Sequence, residues 1–194
     1  MINNFHRYLN LPFDIKRPPN LDSFDSKESK HIEIPEYCDQ NMINWLKSFD
    51  IETGNIEAFY TPPKGSLPIH CDESILDNHV KINVTWGSEK GVTRWWHCPC
   101  PLDNHDIHVI DNGTEKEYRQ DNCLRGNESD CDLVYEANTN RPSLLNVGQM
   151  HSTYNPDEKI GRWTLCFVLK PINSFKPYIY WNDALGIFKD YLVK

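Results

Sequence analysis

No apolar run in the 194 residues approaches the roughly 20 needed to cross a bilayer as a helix, so no membrane span is expected. The stretch Met1 to Tyr8 lacks the apolar segment of a secretory signal, and a cytoplasmic setting is the expectation. An excess of basic residues is also missing. Twenty Lys and Arg stand against twenty-eight Asp and Glu, a formal charge of -8, which argues against an extended nucleic-acid or anionic-membrane surface. No internal repeat is visible. The seven cysteines are an odd number. Without a secretory signal they read as free thiols rather than a disulfide framework.

What remains is ample material for a core. Hydrophobic residues make up 39% of the chain and aromatics 12%, enough for one domain over residues 1–194. Residues 1–39 are polar and broken by Pro12, Pro18, Pro19 and Pro35. They read as an irregular wrap with a short strand at His31 to Ile34. Ile43, Trp45 and Leu46 predict a short helix over residues 40–49. Strand patterns follow at Ile56 to Tyr60, Val80 to Trp86, Leu144 to Met150 and Arg162 to Leu169. Two of these alternate cleanly. Val80, Ile82, Val84 and Trp86 share one face, and Lys81, Asn83 and Thr85 the other. Trp163, Leu165, Phe167 and Leu169 oppose Arg162, Thr164, Cys166 and Val168. The second face would look either into a wet cavity or into solvent. Trp181, Leu185, Phe188, Tyr191 and Leu192 predict a C-terminal helix over the apolar side of the sheet.

The sharpest chemical feature is Ile69-His70-Cys71-Asp72. Residues two apart on a strand point to the same side, so His70 and Asp72 can bind one ion together. His151, at the end of the Leu144 to Met150 strand, is the candidate third ligand. Two histidines and one carboxylate on one face of an octahedral ion leave three positions open, the pattern of non-haem iron(II) oxygenases. Eleven residues after His151, beyond a turn containing Pro156, stands Arg162, with Thr164 two further on. A hairpin at that turn would lay the two strands side by side. A buried arginine facing a metal cavity needs an anion, and a dicarboxylate chelating the metal at its other end would supply one.

H-x-D, a distal His and then R-x-T, with FYTPP before the H-x-D and KINVTW after it, resemble the iron(II)- and 2-oxoglutarate-dependent oxygenases. LLNVGQMHSTYNP leading into RWTLCF extends the likeness, which covers about residues 55–170. The nearest resemblance is to short members frequent in phage and marine bacterial genomes. It implies an all-β core, a double-stranded β-helix or jelly roll, with flanking short helices including the C-terminal one. It also implies a dioxygenase, an oxidoreductase hydroxylating a C–H bond with release of succinate and carbon dioxide. His70, Asp72 and His151 would be the iron ligands. Arg162 and Thr164 would hold the far carboxylate of the 2-oxoglutarate co-substrate, with Tyr60 and Asn83 near it. The second arginine of the nucleic-acid-demethylating branch is Val168 here, and the Gly-rich tyrosine motif of the prolyl hydroxylases is absent. The substrate class therefore stays at a small molecule or peptide. The alternative is a cupin-like metal-binding module, non-catalytic or independent of 2-oxoglutarate.

Residues 97–140 interrupt the strand pattern and read as a long inserted loop, a mobile lid over the site, carrying a small hairpin (His108 to Ile110, then Thr114 to Tyr118). His97, Cys98, Cys100, His105 and His108, with Cys123 and Cys131, raise a structural zinc site. The spacing of Cys98 and Cys100 is poor for zinc. Trp95 and Trp96 are open between core and substrate pocket. His6, His31 and His79 are expected at the surface.

Overall fold

The computed structural model describes residues 3–17, 30–33, 39–73, 75–104, 107–111, 116–120 and 123–193. The strands run in the order β1 (His6–Tyr8), β2 (Lys30–Glu33), β3 (Ile51–Thr61), β4 (Ser66–Cys71), β5 (Val80–Gly87), β6 (Val92–His97) and β7 (Leu102–Asn104). They continue with β8 (Ile107–Asp111), β9 (Lys116–Gln120), β10 (Cys123–Gly126), β11 (Asp132–Asn138), β12 (Ser143–Asn146), β13 (His151–Tyr154) and β14 (Arg162–Pro171). Helix α1 spans Gln40–Lys47 and α2 Trp181–Ile187. One sheet has the order β1-β12-β5-β14-β3-β2, and the other β11-β6-β13-β4-β10-β7. The pairings in both are antiparallel. From β3 to β6, and again from β11 to β14, the chain passes back and forth between the two sheets, and the result is a double-stranded β-helix.

The alternation in β5 and β14 sets the layers. Val80, Ile82, Val84, Trp163, Leu165, Phe167 and Leu169 pack in one buried cluster with Met42, Trp45 and Leu46 of α1 and with Trp181, Ala184 and Phe188. Asp39 caps α1, its Oδ1 accepting from the backbone of Asn41 and Met42. The Trp45 ring stacks on Phe188 at 5.1 Å, which joins the two helical segments over the sheet. The opposite face is not solvated. Arg162 is 1% exposed, Cys166 4%, Thr164 6%, and Lys81 and Asn83 8% each, because this face is covered by the second sheet.

Several expectations change. The strand predicted over Leu144 to Met150 stops at Asn146, and His151 instead opens β13 in the opposite sheet. β13 and β14 therefore do not form the expected hairpin. The turn between them carries the chain from one sheet to the other. Asn155, fully buried, fixes it by donating to the carbonyls of Ile160 (2.8 Å) and Pro62 (3.1 Å). Within residues 97–140, β7, β10 and β11 belong to the second sheet rather than to an inserted loop. β11 pairs with β6 along its length, and β10 and β7 extend the sheet beyond β4. Their backbone groups are committed to ladders, as a mobile loop's would not be. The expected hairpin is present as β8 and β9, and its turn and His105 fall outside the described residues. The free-thiol reading fails at one pair, since Cys98 and Cys131 are disulfide-bonded. Cys98 is thus no zinc ligand here. β1 was missed, lacking any pattern long enough to read. α2 ends at Ile187, short of Leu192, which bridges instead to Leu9. Among the described residues no helix is long and apolar enough to cross a membrane.

Candidate metal centre

His70 lies at the end of β4 and His151 at the start of β13, and the two are register partners on adjacent strands. Partners in register share a face, which brings the rings to a centroid separation of 4.4 Å. Each ring is oriented the same way. Nδ1–H of His70 donates to the carbonyl of Pro68, two residues back, at 2.9 Å. Nδ1–H of His151 donates to the carbonyl of Gln149, also two residues back, at 2.9 Å. Both therefore present Nε2, with tautomer and ring angle set by the backbone, as metal-binding histidines commonly are. Asp72 Oδ1 completes the group at 3.3 Å from Nε2 of His70 and 3.7 Å from Nε2 of His151. One ligand atom from each residue lies within 4.8 Å of the others.

Two loops hold this geometry, and they are knitted together. Asp72 N–H donates to the carbonyl of Val147 (3.3 Å) and Asp77 N–H to that of Gly148 (3.0 Å). Val147 N–H donates in return to the carbonyl of His79 (3.1 Å). The Gln149 side-chain amide donates to the carbonyl of Asp77 (2.5 Å). Gly148 is required at this seam. A Cβ there would overlap Asp77 Oδ1 and stand 2.8 Å from His79 Nδ1. His79, expected at the surface, is 1% exposed. Its Nδ1 lies 2.5 Å from Asp77 Oδ1 and its ring stacks on Tyr178 at 4.7 Å. His6, also expected outside, is buried beside Ser143 and Tyr8.

The electrostatics favour ligation. Burial pulls His151 down to about 3, with His70 adding to the effect, so its imidazole is neutral and can donate a lone pair. Burial alone would raise Asp72. The Lys81 ammonium and the two histidines outweigh it and hold the carboxyl well below the usual carboxylate range. Lys81 reaches across from β5, its Nζ 2.8 Å from Asp72 Oδ2 and 2.8 Å from Glu57 Oε2. Burial opposes its charge, but Asp72 and Glu57 keep it protonated. Alternation put Lys81 on the polar face of its strand. Nothing in the sequence indicated that it meets Asp72.

The same face of the β5–β14 sheet carries the other predicted residues. Arg162 pairs in register with Thr61 and Gly87, Thr164 with Phe59 and Thr85, and Cys166 with Glu57 and Asn83. Val168 pairs with Lys81, so the Lys81 contact proves that this row faces the triad. The Arg162 Nη2 donates to the carbonyl (3.1 Å) and to the hydroxyl of Thr139. Its Nε and Nη1 are buried and have no hydrogen-bond partner among the described residues. Gly91 makes room for this side chain, since a Cβ there would stand 2.7 Å from Nε. Burial lowers Arg162 from its ordinary value to about 10, which leaves it a cation at neutral pH. Asn83 Oδ1, and Thr153 Oγ1 on the facing sheet, are likewise buried without a partner.

Tyr60 does not join this group. It pairs with Trp163, so it points to the opposite face, 4.9 Å from the Trp163 ring in the cluster beneath the helices. Strand parity decides this: Thr61, one residue on, is the inward neighbour of Arg162. Trp95 is core, fully buried, with Nε1–H donating to the carbonyl of Asn146 at 2.8 Å. Trp96 lies on the other side of β6 and donates to Ser152 Oγ at 2.9 Å.

No protein-family model matches the chain, and no curated protein matches it in sequence. Among solved structures it is similar to EvdO2 from Micromonospora carbonacea var. aurantiaca complexed with 2-oxoglutarate, at 14% identity and TM-score 0.35. That match covers 71% of this chain and 62% of EvdO2, less than two thirds of the latter's length. It is also similar to oxalate oxidase in complex with the substrate analogue glycolate, at 13% identity and TM-score 0.31, covering 89% of this chain and 75% of that one. Recombinant pro-11S globulin of pumpkin matches at 16% identity and TM-score 0.26, over 62% of this chain and 25% of that one. These are distant likenesses of fold.

Proposed function

We propose that the chain is an iron(II)- and 2-oxoglutarate-dependent oxygenase that hydroxylates a C–H bond of a small molecule or peptide. The observation that carries this reading is Arg162. It is a buried cation whose Nε and Nη1 have no hydrogen-bond partner among the described residues, and it lies on the face that looks toward the triad. An unpaired buried charge is costly, so the site is complete only when an anion enters. A metal-binding module, or an enzyme whose co-substrate lacks a second acidic end, has no use for such a group.

The donor set fits the metal. Two neutral imidazole nitrogens and one carboxylate suit a divalent first-row ion with positions left open. His70 and His151 would hold it through Nε2 and Asp72 through Oδ1. Bound iron(II) would supply the oxidising chemistry, using dioxygen while 2-oxoglutarate is converted to succinate and carbon dioxide. The chain's own residues do the rest. The Arg162 Nε and Nη1 take the far carboxylate of the dicarboxylate, with the Thr164 hydroxyl on the same row. Asn83 lies between that end and the metal end, two residues from Lys81, with its Oδ1 open to a donor. The two sheets exclude bulk water from this row, which strengthens every charge contact within it.

Anaerobic iron(II) titration tests the metal centre. One ion per chain is expected in the wild type and none in folded Asp72→Ala. Adding 2-oxoglutarate to the iron-loaded wild type should produce the weak visible charge-transfer absorption of a chelated 2-oxo acid, and succinate in air. An unchanged stoichiometry in Asp72→Ala would end the reading.

A further inference from the structure

The two oxygens of Asp72 have different neighbours. Oδ1 faces Nε2 of His70 and of His151. Oδ2 is turned away and receives the Lys81 ammonium at 2.8 Å. Lys81 stands on β5 in one sheet, whereas Asp72 follows β4 in the other, so this contact crosses the interior. The lysine is itself braced, since the same Nζ donates to Glu57 Oε2 at 2.8 Å from β3, across β14. With 8% of its surface exposed and a carboxylate on each side, Lys81 has little freedom to leave. A carboxylate left to itself can bind a divalent cation through one oxygen or both. Chelation through both would consume one of the positions that a facial set of three ligands leaves open.

We propose that Lys81, braced by Glu57, is a positioning residue that occupies Asp72 Oδ2, confines the carboxylate to a single-oxygen contact with the metal, and so keeps three coordination positions free. The inference rests on the metal-centre reading above and deepens it, because a 2-oxo acid needs two of those positions at once. The lysine needs no contact with metal or substrate to act. A lysine that merely balanced charge would leave the number of open positions unchanged on removal.

Manganese(II) is the probe, since water-proton relaxation per bound ion scales with the number of coordinated waters. Folded Lys81→Met frees Oδ2 to chelate, so bound waters fall from three to two and the relaxation enhancement per bound ion drops by about a third. Enhancement equal to the wild type in the folded variant overturns the inference. Should Lys81→Met fail to fold, Glu57→Gln decides, because it keeps the ammonium but removes the charge that braces it. Enhancement below wild type supports the brace, and an unchanged value overturns it. The two readings fail separately. If the wild type takes up no manganese(II), or Asp72→Ala takes it up unchanged, the metal centre itself falls and Lys81 with it. If the wild type binds one ion and the variants keep its full enhancement, only the role of Lys81 falls.

Discussion

Replacing Arg162 should leave the stability of the ligand-free protein nearly unchanged, unlike the removal of most buried, hydrogen-bonded residues. Burial lowers the guanidinium from its ordinary value to about 10, a cost of about 3 kcal/mol on the charged form. The sign is fixed by linkage. The folded value lies below the unfolded one, so the cost is fully present at neutral pH and disappears only above the unfolded value. Arg162→Met removes it and fills similar volume. Against this stands the loss of the two Nη2 bonds to Thr139, about 1.5 kcal/mol each for a charged donor and so about 3 kcal/mol together. Thr139 is not orphaned, since its carbonyl still accepts from Thr85 Oγ1 (2.9 Å) and its hydroxyl still pairs with Thr93 Oγ1 (3.1 Å). The two contributions cancel to within about 1 kcal/mol, a change of no more than about 3 °C in Tm for a chain of this size. Ligand response should change far more. 2-Oxoglutarate at 100 times its Kd stabilises the metal-loaded wild type by about 2.7 kcal/mol, and the variant should show almost none of this. Thermal melts of both proteins, with and without metal and 2-oxoglutarate, measure all four states. A variant that melts more than about 6 °C below wild type, and that 2-oxoglutarate still protects fully, would refute the argument at both of its steps.

Two further outcomes are expected. Gly148→Ala places a Cβ against Asp77 Oδ1 and His79 Nδ1 and should push apart the loops carrying Asp72 and His151. A loss of about 1–3 kcal/mol in stability together with at least tenfold weaker manganese(II) binding, read by titration, is expected; wild-type affinity would show that the seam does not position the ligands. His6 is lowered by burial, with Arg7 adding to it, from 6.5 to about 4. The unfolded chain therefore takes up this proton first, and the stability the group contributes is complete above pH 6.5 and lost as pH falls toward 4. Metal-free wild type should lose about 2 kcal/mol more than His6→Gln between pH 7 and pH 4.5, measured by urea unfolding at both pH values, and equal losses would discount the burial of His6.

The alternation of Val80 to Trp86 and of Arg162 to Leu169 was enough to assign two strands and to sort their residues onto two faces, because strand periodicity is a local property of the chain. The same local rule put His70 and Asp72 within reach of one ion. What covers a face is not local. Only the second sheet turned the row of Arg162, Thr164, Cys166, Asn83 and Lys81 from a candidate solvent face into a buried interior. The expected hairpin between the His151 and Arg162 strands failed for the same reason: a turn looks alike whether it returns to its own sheet or crosses to the other. Tyr60 was misplaced by one step of parity, and parity is set by pairing with Trp163 rather than by the FYTPP motif around it. The disulfide between Cys98 and Cys131 joins positions 33 residues apart that β6 and β11 bring together. The bond from Lys81 to Asp72 joins one sheet to the other. The first depends on which distant strands pair and the second on how the two sheets pack, and no residue spacing within either segment encodes them.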